Sequence, residues 1–160
     1  GESPSRWRIE AGAGARLRLD PQPTVVAGGA HHDSVIEVHA DADATIDLHE
    51  HIQIGRSAVD HPGDDAGRWR GRLHVDVDRR PILRHGLELG AGSACAAAGF
   101  NALTSVFRYP DASPAHVDAD HFAARLALVG DASLTTALGR GVAQARAHCD
   151  ALDVAALAQI

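Results

Sequence analysis

The chain has 160 residues, 45 % hydrophobic but only 4 % aromatic, and a formal net charge of −6. That length fits one domain with a core of small side chains, and an acidic balance with few stacking aromatics excludes a general nucleic-acid binder. No run of about 18 apolar residues occurs, so no membrane-spanning helix is expected.

All 15 cationic residues are arginine. Cys95 and Cys149 match no zinc or redox spacing, so two reduced thiols in a cytoplasmic setting are expected. No charged-then-apolar signal segment opens the chain. No methionine is present, and the chain is expected to begin after processing or to be part of a longer product.

The first two-thirds reads as strands. Residues 5–10 form a short strand candidate closed by "AGAG" at 11–14, and 15–19 alternates apolar residues with arginine up to "DPQP" at 20–23. Two prolines so close cannot sit inside a central ladder, because each removes a donor. Residues 24–26 resume an edge strand before "AGGA" at 27–30. His31, His32 and Asp33 are expected in a turn, whose oxygen and imidazole ligands suit weak binding of a borderline metal.

Residues 34–40 alternate, with Ile36 and Val38 on one face. After "DADA" at 41–44, residues 45–54 alternate again. Ile46, Leu48, Ile52 and Ile54 share one face with Glu50; Asp47, His49, His51 and Gln53 share the other, by the period of two. A polar loop over 57–67 leads to the strongest strand, 68–78, which places Trp69, Gly71, Leu73, Val75 and Val77 on one side and an arginine stripe on the other. "DRRP" turns the chain and 82–89 returns as a hairpin partner.

The last third changes character. Residues 90–99 are a loop or one helical turn, 102–109 a strand, and 110–120 a loop. Another pair of strands is expected at 121–129 and 133–138. Residues 141–152 form the best helix, with Val142, Ala145, Cys149 and Leu152 recurring at three-to-four spacing. The sum is an all-β, layered fold with a small helical part at the C-terminal end.

Two features carry chemistry. His49 and His51 project from one face of a strand, as in the His-x-His half of a cupin metal site, but no acid follows in "IQIGRS"; a hydrated face is the plainer account. Glu50 stands among aliphatics, where a carboxylate costs several kcal/mol unless paired, hydrated or protonated. It therefore requires a partner such as an arginine, an internal watery cavity, or a partly open edge strand. No nucleophile elbow, phosphate-binding loop, H-E-x-x-H or dinucleotide fingerprint is present.

In order, "RLRLDPQPTVV" (16–26), "LHEHIQIGR" (48–56) and "GRLHVDVDRRPILRHGLEL" (71–89) resemble the urease accessory protein family UreD, also called UreH. Pro21, Gln22, Pro23 and Thr24 match its first motif; Glu50, Gly55 and Arg56 match the second; Arg80, Pro81, Ile82 and Leu83 match the third. "TALGR" at 136–140 is similar to its closing segment. Leu19 and Asp20 stand where the family has an aromatic and an aliphatic residue, and the family's N-terminal β region is expected to be missing.

The resemblance implies a non-enzymatic scaffold over residues 1–160, with strands stacked in layers somewhat like a β-helix. It implies partners UreF, the GTPase UreG and apo-urease, no tightly bound cofactor, and nickel in transit through a water-filled internal tunnel. Glu50 is then a weak oxygen ligand beside the passage, and His49, His51, His31 and Asp33 are secondary contacts for nickel. The alternatives are a cupin-like His-x-His metal-dependent β-barrel enzyme and an all-β interaction module without metal.

Overall fold

The computed structural model describes residues 1–55 and 66–157, with side chains through Asp153. Most of the expected loop at 57–67 and the motif residue Arg56 lie outside the described residues. The elements are β1 (Glu2–Ala11), β2 (Arg16–Leu19), β3 (Thr24–Val26), β4 (His31–Ala40), β5 (Thr45–Ile54), β6 (Arg68–Val77), β7 (Arg80–Gly90), α1 (Ala94–Ala97), β8 (Ala102–Tyr109), β9 (His116–Asp118), β10 (Ala123–Leu128), β11 (Ala132–Gly139) and α2 (Val142–Leu157).

The chain alternates between two sheets, one ordered β1-β4-β6-β7 and the other β2-β5-β8-β11-β10-β9, with β3 also on β5. β1, β4 and β6 run parallel in register, as do β2 and β5. The corners stack: the Asp41 amide donates to Ala11 O and the Asp78 amide to Ala40 O, both at 2.9 Å. This coil of parallel strands is the layered, β-helix-like arrangement expected. The sheets remain open, unlike the closed barrel of the cupin alternative. The sequence forces the coil because each short turn at 11–14 and 41–44 redirects an alternating strand from one layer to the other, and a parallel neighbour requires such a crossover.

From β6 onward the connections become antiparallel. Asp78 and Arg79 take left-handed φ of 48° and 61°, which gives a two-residue turn the twist needed between β6 and β7. β8, β11, β10 and β9 then meander across the second sheet. β9 falls in a stretch expected to be loop. Three residues are too few to show a period of two, and β10 supplies the pairing. Residues 94–97 make the single helical turn, with Ser93 Oγ accepting from the Ala96 amide at 3.2 Å.

α2 packs on the face of the second sheet that points away from the first. Ala145, Cys149 and Leu152 are buried there with Val106, Ala123 and Ala137, as the helical spacing predicts. Its first turn is capped from β5: Gln53 Oε1 accepts from the Val142 amide at 3.1 Å, satisfying a donor that has no partner within the helix. Cys95 and Cys149 are both free thiols.

Between the sheets the core is divided. Val38, Leu73 and Val75 meet Ile46, Leu48, Phe107 and Leu134 at one end. Val26, Ile52, Ile54, Trp69, Leu89 and Leu103 fill the other. Trp69 is 1 % exposed, and a Cβ at Gly71 would run into its ring. Overpacking of this kind costs about 1–3 kcal/mol, so Gly71→Ala should lower the urea midpoint accordingly. An unchanged midpoint would mean that the indole has room to shift.

Candidate functional site at a polar belt between the sheets

A line of polar or side-chain-free positions crosses the sandwich between the two apolar clusters. In the first sheet Ser5 pairs with Ser34, and Ser34 with Gly71. In the second, Glu50 pairs with Ser105, and Ser105 with Thr136. Paired residues in adjacent strands share a face, so these side chains line up rather than scatter.

Glu50 is the only acid on the belt among the described residues. Its carboxylate accepts from Ser34 Oγ at 3.1 Å, and no arginine pairs with it among the described residues. Burial between the sheets pushes its carboxyl up to about 7, an effect the Ser34 hydroxyl opposes. The residue still keeps some accessible surface, because it borders a cavity of about 170 Å³. Of the outcomes expected for Glu50, an arginine partner is absent among the described residues, while a bordering cavity and an open stretch of strand edge are both present.

The cavity exists because β5 has a gap along one edge. β2 pairs with Thr45–Leu48, and β3 with Ile52–Ile54. Between them Asp20, Pro21, Gln22 and Pro23 leave the ladder, as two residues without an N–H must. His49, Glu50 and His51 therefore lie on a stretch of β5 with no strand on that side among the described residues. The cavity is lined by His49, Glu50 and His51, together with Pro21, Gln22, Thr24, His32, Ser34 and Trp69. Trp69 Nε1 has no hydrogen-bond partner among the described residues. A space of this volume with such donors and acceptors suits ordered water.

On the outer side, His51 is 3 % exposed. Its Nε2 lies 3.0 Å from Asp20 Oδ1 and its Nδ1 3.0 Å from Thr104 Oγ1. Arg146 of α2 donates from Nε to His51 Nδ1 at 3.3 Å and from a terminal nitrogen to Asp20 Oδ1 at 2.9 Å. Burial lowers the His51 pKa, against the pull of Asp20, and the bond from His51 lowers that of Asp20. His49 Nε2 is 2.9 Å from Asp47 Oδ1. One ligand atom from each of Asp20, His49 and His51 lies within 4.8 Å of the other two.

The remaining expectations divide. The turn expected for His31 and Asp33 is overturned: with His32 they open β4, paired to β1 on one side and β6 on the other. Two neighbouring strands supply the ladder that local composition did not announce. His31 and Asp33 register with Arg68 and Arg70, on a separate hollow of about 150 Å³ with Glu2, and are not brought to Glu50. His32, of opposite parity, turns to the cavity, near Ser3 Oγ at 2.7 Å and Ser5 Oγ at 3.3 Å. Asp20 and Arg146 also join the site without having been singled out. Their signal is only partial: Asp20 directly precedes the prolines that open the gap, whereas Arg146 arrives from 95 positions beyond His51. Gly55 ends β5 with φ 77°, a left-handed value that favours glycine, and its amide donates to Val26 O at 2.9 Å.

Comparison with known proteins points to the same family as the motifs. The UreD urease accessory protein family model matches residues 2–158. Among similar proteins, "Urease accessory protein UreD" of Frankia casuarinae is 35 % identical over 102 residues, 56 % of this chain and 30 % of that protein. "Urease accessory protein UreD 1" of Streptomyces griseus is 37 % identical over 89 residues, 56 % of this chain and 33 % of that protein. "Urease accessory protein UreD 1" of Saccharopolyspora erythraea is 28 % identical over 159 residues, 92 % of this chain and 60 % of that protein. The chain thus covers less than two thirds of the length of these relatives. With a family match along nearly its whole length, the chain belongs to the UreD urease accessory protein family.

Proposed function

We propose that the chain is a non-catalytic maturation factor that helps deliver nickel to apo-urease in the cytoplasm, acting with UreF and the GTPase UreG, and that the ion passes the belt at Glu50. The observation that carries this reading is the placement of one unpaired carboxyl on a polar line through an otherwise apolar sandwich, beside a cavity at the β5 gap. Burying an acid without a cation is costly. The cost is reasonable where water and a divalent ion reach it, and a single oxygen ligand holds such an ion weakly enough to let it go. Nickel is cargo in this account and not a resident cofactor.

The test is co-expression with urease subunits and the other accessory proteins. Glu50→Ala should lower the nickel content and activity of the recovered urease by about tenfold, the scale of a lost metal-side contact, while pull-down of the partners stays intact. Full activation by the variant would remove Glu50 from the path, and lost pull-down would assign it to assembly instead.

A further inference from the structure

We propose that Asp20, His49 and His51 form a binding site for a borderline divalent metal ion at the outer mouth of the β5 gap, and that Arg146 latches the site shut. This goes beyond the passage at Glu50, which lies on the other face of the strand; it rests on that reading only for the use made of the ion.

Two imidazoles and a carboxylate are the donor set that Ni²⁺, Co²⁺ and Zn²⁺ prefer. Their ligand atoms stand within 4.8 Å of one another, against the roughly 3.0–3.4 Å between donors that metal bonds of about 2.1 Å dictate. Closing the site therefore requires shifts of about an ångström, and the residues are placed to allow them. Asp20 sits on the unpaired segment between β2 and β3. Asp47 takes the Nε2–H of His49 at 2.9 Å, leaving Nδ1 as the free lone pair, with a carboxylate behind the imidazole as in metal-bound histidines.

His51 explains the latch. Arg146 Nε is always a donor, so His51 Nδ1 must accept from it at 3.3 Å. Neutral imidazole carries one N–H, which then lies on Nε2 and points to Asp20 Oδ1 at 3.0 Å. That tautomer has no lone pair for an ion at Nε2. Binding requires the other one, in which Nδ1–H donates to Thr104 Oγ1, already 3.0 Å away. The Nε2 proton goes to solvent and another arrives at Nδ1, with no net release. The new N–H faces the Arg146 N–H, so the guanidinium must leave. It also surrenders Asp20, which it holds at 2.9 Å. Metal and Arg146 thus compete for the same two side chains, and each weakens the other by the same factor. Movement of α2, which carries Arg146, would open or close the site.

The test is titration of the metal-stripped 160-residue chain with Ni²⁺ alone by calorimetry, and with Zn²⁺ for nitrogen NMR of the imidazoles. Arg146→Gln should tighten binding about tenfold or more, and Asp20→Asn and His49→Gln should each weaken it by about tenfold. Both weakened variants leave the buried His51 in place, and circular dichroism checks their fold. His51 should read as the Nε2–H tautomer without metal and as Nδ1–H with Zn²⁺, a change that a purely structural network would not show. Binding that neither Asp20→Asn nor His49→Gln weakens would place the ion elsewhere and overturn the site. Unchanged or weaker binding by Arg146→Gln would overturn the latch. Tighter binding by that variant supports it whatever Glu50 substitutions do to urease activation.

Discussion

Metal-free chain should lose stability as the pH rises from 4.5 through 7, and Glu50→Gln should remove that loss. The unfolded carboxyl ionises near 4.5, while burial holds the folded one near 7. The folded state therefore keeps the proton that the unfolded state gives up. The Glu50 contribution is fully present below 4.5 and disappears as the pH passes the folded value, at most about 3 kcal/mol for a shift of this size. The partial accessibility of Glu50 lowers the figure, because an acid partly in contact with solvent ionises at less cost. His51 and His85 work in the opposite direction, since burial lowers both; their neutral forms are favoured in the fold and lose ground as the pH falls. Both histidines are present in the variant, so the difference between the two chains isolates Glu50. Urea unfolding at several pH values, with chelator present, gives the comparison. Parallel curves for the two chains would mean that Glu50 is as well hydrated in the fold as outside it, and the belt would then hold no strained acid.

Arg125→Ala should cost about 3 kcal/mol, because it removes two charge-assisted hydrogen bonds and empties the space of a buried side chain. Arg125 is 3 % exposed on β10. Its Nε donates to Pro114 O at 2.9 Å and a terminal nitrogen donates to Leu152 O at 3.2 Å, with Asp153 at 4.0 Å. It therefore ties the loop before β9 to the last turns of α2. Arg108 makes a second tie, a two-bonded pair with Asp153 at 2.8 Å. Arg125→Met keeps most of the volume without the donors, so its comparison with Arg125→Ala separates packing from hydrogen bonding. Hydrogen exchange should show the loosening first in α2. A loss below about 1 kcal/mol for both variants, the net value of one ordinary hydrogen bond, would mean that water replaces the guanidinium without penalty.

The strands were legible where alternation was long enough to name a face. In β5 and β6 the apolar parity of Ile46, Leu48, Ile52 and Ile54, and of Trp69, Leu73, Val75 and Val77, marks the side that the fold buries. The same parity singled out Glu50 as an acid on the wrong face, and the cavity beside it answers that oddity. β9 and the start of β4 were not legible. Their residues pair because strands distant in sequence come alongside, and nothing local announces it. His31 and Asp33 followed from that error, whereas His32 was the member of the cluster that turned to the cavity.

The amino-acid order by itself determined the layered β class, the helical end, the motif series and the position of a misplaced carboxyl. These depend on a period of two, a period of three to four, and prolines that cannot donate, all of which act within a few residues. Only the tertiary structure decided that the two prolines open a gap beside the His-Glu-His triplet, that Ser34 rather than an arginine meets Glu50, and that Arg146 reaches His51 and Asp20. Those facts depend on register between segments separated by 16 to 126 positions, which is set by the sum of all ladder and packing energies and leaves no mark in any short stretch of chain.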